Sequence, residues 1–324
     1  GYGYTGISRL EGYRLAMEGK VRAPQQPPGA LLSIDAVDLR LQGKTDFAIP
    51  AAETEFVAQV QNLLGAEADR YALAVLDLTK IEQSRYAEHR STERANAGSV
   101  GKILIALGVF QALADVYPDN IDARLSILRK TVITADEFIQ SDHHVVPVWQ
   151  PGDSRVRYPK IQIGDQASLW TYLDWMLSAS SNAAASMVLK HLMLLVQYGP
   201  AYPVSETEAR QFFKTASKKE LAALLSRALQ DPVVRNGLDL EQLRQGSFFT
   251  RKGKQLVPGT TSYATPQELL RWLIKLEKGQ LVDAFSSREI KRLLYMTQRR
   301  IRYASAPALA ASAVYFKSGS LYKC

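Results

Sequence analysis

The stretch Ser99-Val100-Gly101-Lys102-Ile103-Leu104-Ile105-Ala106-Leu107-Gly108-Val109-Phe110 decides most of what can be read from this chain. Ile103, Leu104, Leu107, Val109 and Phe110 form a wide apolar face, the mark of a helix buried on most sides. Gln111 interrupts the run before Ala112-Leu113-Ala114. About a dozen apolar residues fall short of the ~20 that cross a bilayer, so no transmembrane segment is expected. At the head of this helix Ser99 and Lys102 stand just under one turn apart, so their side chains share a face. A serine hydroxyl attacks only when something takes its proton, and a lysine kept from water can do so once its pKa is lowered. The helix N-terminus adds unpaired N–H groups and a positive dipole end, which favour an anion formed there. Taken alone, S-x-x-K is a weak signal, far more often an N-cap serine beside a solvated lysine.

Working outward toward the N-terminus, Tyr71-Ala72-Leu73-Ala74-Val75-Leu76 predicts a buried strand, and Thr79-Lys80 turns the chain toward a second strand around Gln83–Glu88. Before them, Phe56, Val60, Leu63 and Leu64 keep helical spacing after Pro50, and Gly65 ends that helix. Residues 1–50 read as an N-terminal extension packed on the body. Pro24, Pro27, Pro28 and Gly29 break them up, and Ala30–Ile34 with Val37–Leu41 could make one short edge strand.

Toward the C-terminus, Leu169, Leu173, Met176 and Leu177 predict a helix, and Met187 to Val196 another. Helix-like stretches follow at Lys219–Leu229 and Asp239–Arg244. Thr265-Pro266-Gln267-Glu268 is a helix start with proline at its first position, and Ser286-Ser287-Arg288-Glu289 repeats the capping pattern. Ala313-Val314-Tyr315-Phe316 predicts a last strand. This order suggests an α+β (mixed α/β) fold, an antiparallel sheet flanked by helices plus an all-helical lobe. Residues 51–98 and 257–324 would make the sheet subdomain and 99–256 the helical one, with the active site between them.

Composition narrows the function classes. The 324 residues leave room for roughly two ordinary domains or one composite one, with 46% hydrophobic and 22% charged residues. The one cysteine, Cys324, excludes a disulfide framework within residues 1–324 and a multi-cysteine metal site. Net charge is +8. The densest basic clusters, Arg251-Lys252-Gly253-Lys254 and Arg299-Arg300-Ile301-Arg302, lack interleaved aromatics and read as solvated faces, so no nucleic-acid partner is expected. Gly1-Tyr2-Gly3-Tyr4-Thr5-Gly6 matches G-x-G-x-x-G without a preceding strand, which removes the dinucleotide reading. Asp142-His143-His144 could ligate a metal, but adjacent histidines on an extended segment point apart, and no metal site is expected.

Two further elements give Ser99 and Lys102 their context. Ser180-Ser181-Asn182 follows the Leu169–Leu177 helix, and Lys317-Ser318-Gly319-Ser320 closes the last apolar run. S-x-x-K, S-D-N and K-T-G, in that order and on helix start, interhelical loop and strand, are the signature of penicillin-recognising serine enzymes. Over about Phe56 to Cys324 the chain resembles the class A β-lactamases and their penicillin-binding relatives. The resemblance implies Ser99 as the acylated nucleophile and Lys102 as its proton acceptor or relay partner. It implies Ser180 as the donor to the leaving nitrogen, and Asn182 as a support for Lys102 and the substrate amide. Lys317 and Ser318 would meet the substrate carboxylate, and Gly319 would let substrate lie along the strand edge. Backbone N–H groups of Ser99 and Ser320 would hold the oxyanion. The implied substrate is a β-lactam, or a peptidoglycan stem peptide if the chain is a D-Ala-D-Ala carboxypeptidase or penicillin-binding protein. The third reading is a catalytically silent cell-wall or partner-binding domain. No cofactor is implied, a monomer is favoured, and the location implied is periplasmic or secreted.

The chain departs from that pattern in places. Ser181 stands where the motif has aspartate, and Ser318 where it has threonine. A deacylating glutamate in E-x-x-L-N context is missing. Glu206, Glu208 and Glu241 are the acids available, Glu241 lying nearest the expected place. In such enzymes two more strands and a closing helix follow the third motif. Here only Leu321-Tyr322-Lys323-Cys324 follow, which favours a truncated chain and leaves Cys324 free to pair beyond residue 324. Tyr158 and Trp149 are further expected at the cleft rim.

Overall fold

A computed structural model describes residues 1–296 and 299–321, so the expectation for Cys324 lies outside the described residues. The chain opens with α1 (Tyr2–Thr5) and α2 (Ser8–Met17), then α3 (Thr54–Leu64), β1 (Leu73–Asp77) and β2 (Arg85–His89). A 3-10 turn at Gly98–Gly101 runs directly into α4 (Lys102–Val116). There follow α5 (Ile121–Lys130), β3 (Val132–Thr134), β4 (Gln166–Ser168), α6 (Leu169–Ser178) and α7 (Asn182–Tyr198). The next elements are α8 (Glu206–Thr215), α9 (Lys218–Leu229), α10 (Asp231–Arg235), β5 (Leu243–Arg244) and α11 (Arg251–Leu256). The last are β6 (Tyr263–Ala264), α12 (Pro266–Glu277) and α13 (Ala284–Tyr295). The fold is α+β with antiparallel pairing, as the element order suggests, but its strands form three separate two-stranded sheets among the described residues.

Helix α4 is the hub. Every residue from Lys102 to Leu113 is buried, because α6, α7, α9 and α13 pack around it. Gly108 permits the closest approach: a β-carbon there would lie 2.6 Å from Leu192 and 2.7 Å from the Ala228 carbonyl, so α7 and α9 could not sit as they do. The stretch Gly98–Val116 is in fact long and apolar enough to cross a membrane by length and composition, contrary to the expectation above. Here it is the central helix of the helical packing, a role that demands the same apolar composition.

Residues 1–50 join the body without forming a strand. Two 3-10 turns, at Pro28–Ala30 and Ile34–Ala36, replace the expected edge pairing. Ile7 is fully buried in the main core, and Arg9 forms a buried two-pronged pair with Asp174 of α6, at 2.8 and 2.6 Å. Deleting one partner of such a pair leaves an uncompensated buried charge, a loss of about 3–5 kcal/mol. Leu41, also fully buried, joins Tyr86, Leu270 and Ile274 in a second small core between the β1–β2 hairpin and α12.

Four local expectations change. Strand β1 is half-buried rather than buried, with Val75 exposed, and among the described residues only β2 pairs with it. The Asp239–Arg244 stretch makes turns and then β5 instead of a helix, its Asp239 carboxylate accepting from the Glu241 N–H. Helix α13 starts earlier than its Ser286–Glu289 pattern suggests. Asp283 caps it by accepting from Ser286 N, and Glu289 instead takes hydrogen bonds from Tyr4 and Arg292. Finally, Ala313–Phe316 is irregular: Phe316 N donates to the Leu294 carbonyl, and no strand offers it a ladder among the described residues.

Candidate active site

The Lys102 ammonium is completely buried at the first turn of α4. Its Nζ lies 2.9 Å from Ser99 Oγ, 2.6 Å from the Ser180 carbonyl, 3.3 Å from Ser180 Oγ and 2.8 Å from Asn182 Oδ1. The Phe249 ring closes the remaining side, its centroid 4.9 Å away. Burial drives the Lys102 pKa well below the usual lysine value; the Lys317 charge pushes the same way, and the Asp142 carboxylate opposes both. A neutral amine here keeps donors for the Ser180 carbonyl and Asn182 Oδ1, and presents its lone pair to the Ser99 hydroxyl. That is the arrangement a proton acceptor needs. Because Gly98–Gly101 is a 3-10 turn rather than the start of the α-helix proper, Ser99 sits half-buried on the turn feeding the buried helix.

Ser180 occupies the left-handed region of backbone space, with φ 57°, a strained conformation for a residue with a side chain. Its strain aims both the carbonyl and the hydroxyl at Lys102. Ser181 caps α7 by accepting from Ala184 N, and Asn182 is the first residue of that helix, so the helix terminus fixes where its amide oxygen points. Behind this loop lies Asp142, whose Oδ2 accepts from Ser181 Oγ (3.2 Å) and Ala183 N (2.8 Å).

On the opposite side, Lys317 Nζ donates to Ser180 Oγ at 2.9 Å and to the Ser318 carbonyl at 2.7 Å. Burial, aided by the Arg302 charge, lowers its pKa to about 7. Arg302 donates to the Gly319 carbonyl at 2.7 Å and to Ser320 Oγ, so this exposed side chain of the basic cluster also braces the site. Gly319 has a different reason to be glycine than a strand edge open to substrate. A β-carbon there would lie 2.4 Å from the Ala97 carbonyl and 3.2 Å from Ser99 N, so the residue packs on the Ser99 turn itself. Gly98 faces Ser320 in turn, a β-carbon there lying 2.9 Å from the Ser320 carbonyl.

Ser99, Lys102, Ser180, Asn182 and Lys317 thus converge on one another, with Ser318, Gly319 and Ser320 alongside. Glu241 does not join them. It is exposed, held through its backbone by Asp239 and Arg94, and takes no part in the hydrogen bonds around Ser99. Glu206 and Glu208 are exposed in the first turn of α8. Trp149 is buried, its indole N–H on the Asp153 carbonyl, and the Tyr158 hydroxyl pairs with that of Tyr13 at 2.5 Å; neither touches the converging residues through a hydrogen bond.

The sequence reading missed Phe249 and Arg302, whose identities carry no local signal of their roles, and weighed Asp142 only as a metal ligand. His143 and His144 do not point apart as expected. Their rings stack with centroids 4.6 Å apart, and with Asp142 they offer ligand atoms within 4.8 Å of one another. The Asp142 carboxylate, however, is already committed on both oxygens, since Oδ1 accepts from His144 N and Nδ1.

Among solved structures the chain is similar to PBP-A, at 14% identity over 77% of this chain and 72% of that one, with a TM-score of 0.44. It is also similar to a beta-lactamase from Sphaerobacter thermophilus DSM 20745, at 17% identity over 77% and 71% of the two chains with a TM-score of 0.46. A beta-lactamase from Chitinophaga pinensis DSM 2588 gives 14%, 75% and 70%, with a TM-score of 0.44. No curated protein matches the chain. The family model for the beta-lactamase enzyme family matches residues 55–324, a span that holds every converging residue from Ser99 to Ser320, and the chain belongs to that family.

Proposed function

We propose that the chain is a serine hydrolase whose Ser99 is acylated by the amide carbonyl of a β-lactam. The observation that carries this reading is the buried Lys102 amine, 2.9 Å from Ser99 Oγ and within reach of Ser180 Oγ. Neutral Lys102 takes the Ser99 proton as Oγ bonds to the carbonyl carbon, and the carbonyl oxygen becomes an oxyanion facing the backbone N–H groups of Ser99 and Ser320. Each such donor is worth roughly 3 kcal/mol in a well-formed oxyanion site. Collapse breaks the C–N bond, and the Ser180 hydroxyl, bridging the two lysines, passes a proton to the departing nitrogen. Lys317 in its charged form, with Ser318, receives the carboxylate that β-lactams and stem peptides both carry. Asn182 holds Lys102 and faces the substrate amide.

A specific observation favours slow release. Glu241 is exposed and stands outside the hydrogen bonds around Ser99, and no other glutamate enters them among the described residues. The ester at Ser99 would then persist, as in a penicillin-binding protein or D-Ala-D-Ala carboxypeptidase. Stem peptides lie outside the cytoplasm, which puts the proposed work there. Incubation with a reporter penicillin followed by intact-mass measurement tests both points. The expected result is one adduct that Ser99→Ala abolishes and that decays slowly. No adduct, or one surviving Ser99→Ala, overturns the assignment, and rapid decay overturns slow release.

A further inference from the structure

We propose that Asp142 is a positioning residue of this site, supplying from the loop between β3 and β4 the carboxylate that the Ser180–Asn182 segment lacks. The proposal deepens the acylation reading and rests on it. Four donors converge on this one side chain. Ser181 Oγ and Ala183 N reach Oδ2 at 3.2 and 2.8 Å, while His144 N and Nδ1 reach Oδ1 at 3.2 and 2.6 Å. Only an ionised carboxylate accepts on both oxygens; an amide would turn its NH2 toward one pair of donors. The side chain is 5% exposed, and the hydrogen bonds from His144 and Ala183 outweigh burial, so its carboxyl stays well below the usual carboxylate range and remains ionised.

What the carboxylate holds is the stretch that needs holding. Ser180, with its left-handed φ of 57°, is flanked on its C-terminal side by the two groups that Asp142 grips. Ser181 is fully buried, and its hydroxyl both caps α7 and donates to Asp142. Asn182, between the two gripped residues, places its oxygen 2.8 Å from Lys102 Nζ. The same carboxylate is the nearby negative charge that opposes the burial of Lys102 and the repulsion from Lys317. Its other oxygen ties the arrangement to His144, so a loop more than thirty residues before α7 is locked onto the α7 N-terminus.

The test compares wild type, Asp142→Asn, Asp142→Ser and the double variant Asp142→Ser with Ser181→Asp, which moves the carboxylate back into the segment. Acylation of Ser99 by a reporter penicillin is timed by intact mass, and Lys102 is titrated through its 13Cε NMR signal. Asp142→Asn is expected to slow acylation by about ten- to a hundredfold, the scale of a misplacement of about 1 Å. Its Lys102 midpoint is expected to move to lower pH, a change that loss of packing alone would not produce. The double variant is expected to acylate faster than Asp142→Ser. Wild-type acylation with an unmoved Lys102 midpoint in Asp142→Asn overturns the proposal, as does a double variant no faster than Asp142→Ser. If wild type itself is never acylated, the acylation reading fails. The Lys102 titration of wild type against Asp142→Asn then still decides whether Asp142 acts on Lys102, an unmoved midpoint overturning it.

Discussion

Lys102 and Lys317 both reach the Ser180 hydroxyl, at 3.3 and 2.9 Å, yet the molecule holds them by opposite means. Lys102 is on a 15-residue helix buried from its first turn, so its position follows from core packing on several sides. Lys317 lies in irregular backbone fixed by single contacts: Phe316 N on the Leu294 carbonyl, Arg302 on Gly319 and Ser320, and Gly319 against the Ala97–Val100 turn. Half of this site is therefore rigid because the core is, and the other half because a few side chains and one glycine allow it. Both cations have lowered pKa values for the same first reason, burial. Under the proposed function they differ in what chemistry asks of them: Lys102 would be neutral to accept a proton, and Lys317 charged to hold an anion.

The largest expected effect breaks the rigid half at its chemistry. Lys102→Met keeps the volume and removes the proton acceptor, so acylation by a chromogenic β-lactam should fall by about 10²–10⁴-fold. Melting temperature should rise, because a desolvated amine is replaced by an apolar group. A drop in both would assign Lys102 to stability instead. Next, Gly319→Ala attacks the irregular half. The added β-carbon would lie 2.4 Å from the Ala97 carbonyl, which is backbone and cannot swing aside. Acylation should slow by about ten- to a hundredfold. Melting should change little, since the 317–321 segment adds little to the core; unchanged acylation would show that the segment's close approach is dispensable.

The third prediction sharpens the comparison by pH. With a free-enzyme Lys317 pKa of about 7, its charge is lost as pH rises through that value. The kcat/KM for an anionic β-lactam should therefore fall roughly tenfold per pH unit on the alkaline side. On the acid side it should fall as Lys102 regains its proton, at a pH below the usual lysine value. Lys317→Arg should remove the alkaline limb and keep the acid one. A profile flat from pH 7 to 10 in wild type would refute the assignment. The smallest effect is Arg302→Ala, which removes two exposed hydrogen bonds worth about 0.5–1.5 kcal/mol each. It should raise KM a few-fold with kcat nearly unchanged, and it should move the alkaline limb upward, because a neighbouring positive charge is gone. A KM equal to wild type would show that Arg302 is not a strut.

Much of the helical half was legible. Apolar spacing located α6, α7 and α9 to within a few residues, except that Asn182, polar and at a helix start, lies ahead of the apolar run that marks α7. Thr265-Pro266 marked the head of α12 because capping chemistry is local. The misreadings share a cause. Ala313–Phe316 and Val37–Leu41 have strand-like residues, but a strand exists only where a neighbour accepts its hydrogen bonds, and no spacing within the segment reports that neighbour. Ser286–Glu289 reads as a capping box, but Asp283 lies upstream and wins the role.

By itself the sequence determined the order of elements and the residue types at three separated motifs, because helix periodicity, capping and side-chain chemistry act over a few residues. Only the tertiary structure decided that Lys102 is buried without a counter-ion in contact among the described residues. It also decided that Phe249 covers Lys102, that Glu241 stands apart, and that Asp142 replaces a carboxylate missing from its neighbours. Each of these depends on which distant backbone comes within about 3 Å of which side chain, the length scale of a hydrogen bond. Burial and mutual repulsion of charges arise only from that approach, so the chemistry of the two lysines is a property of the folded chain.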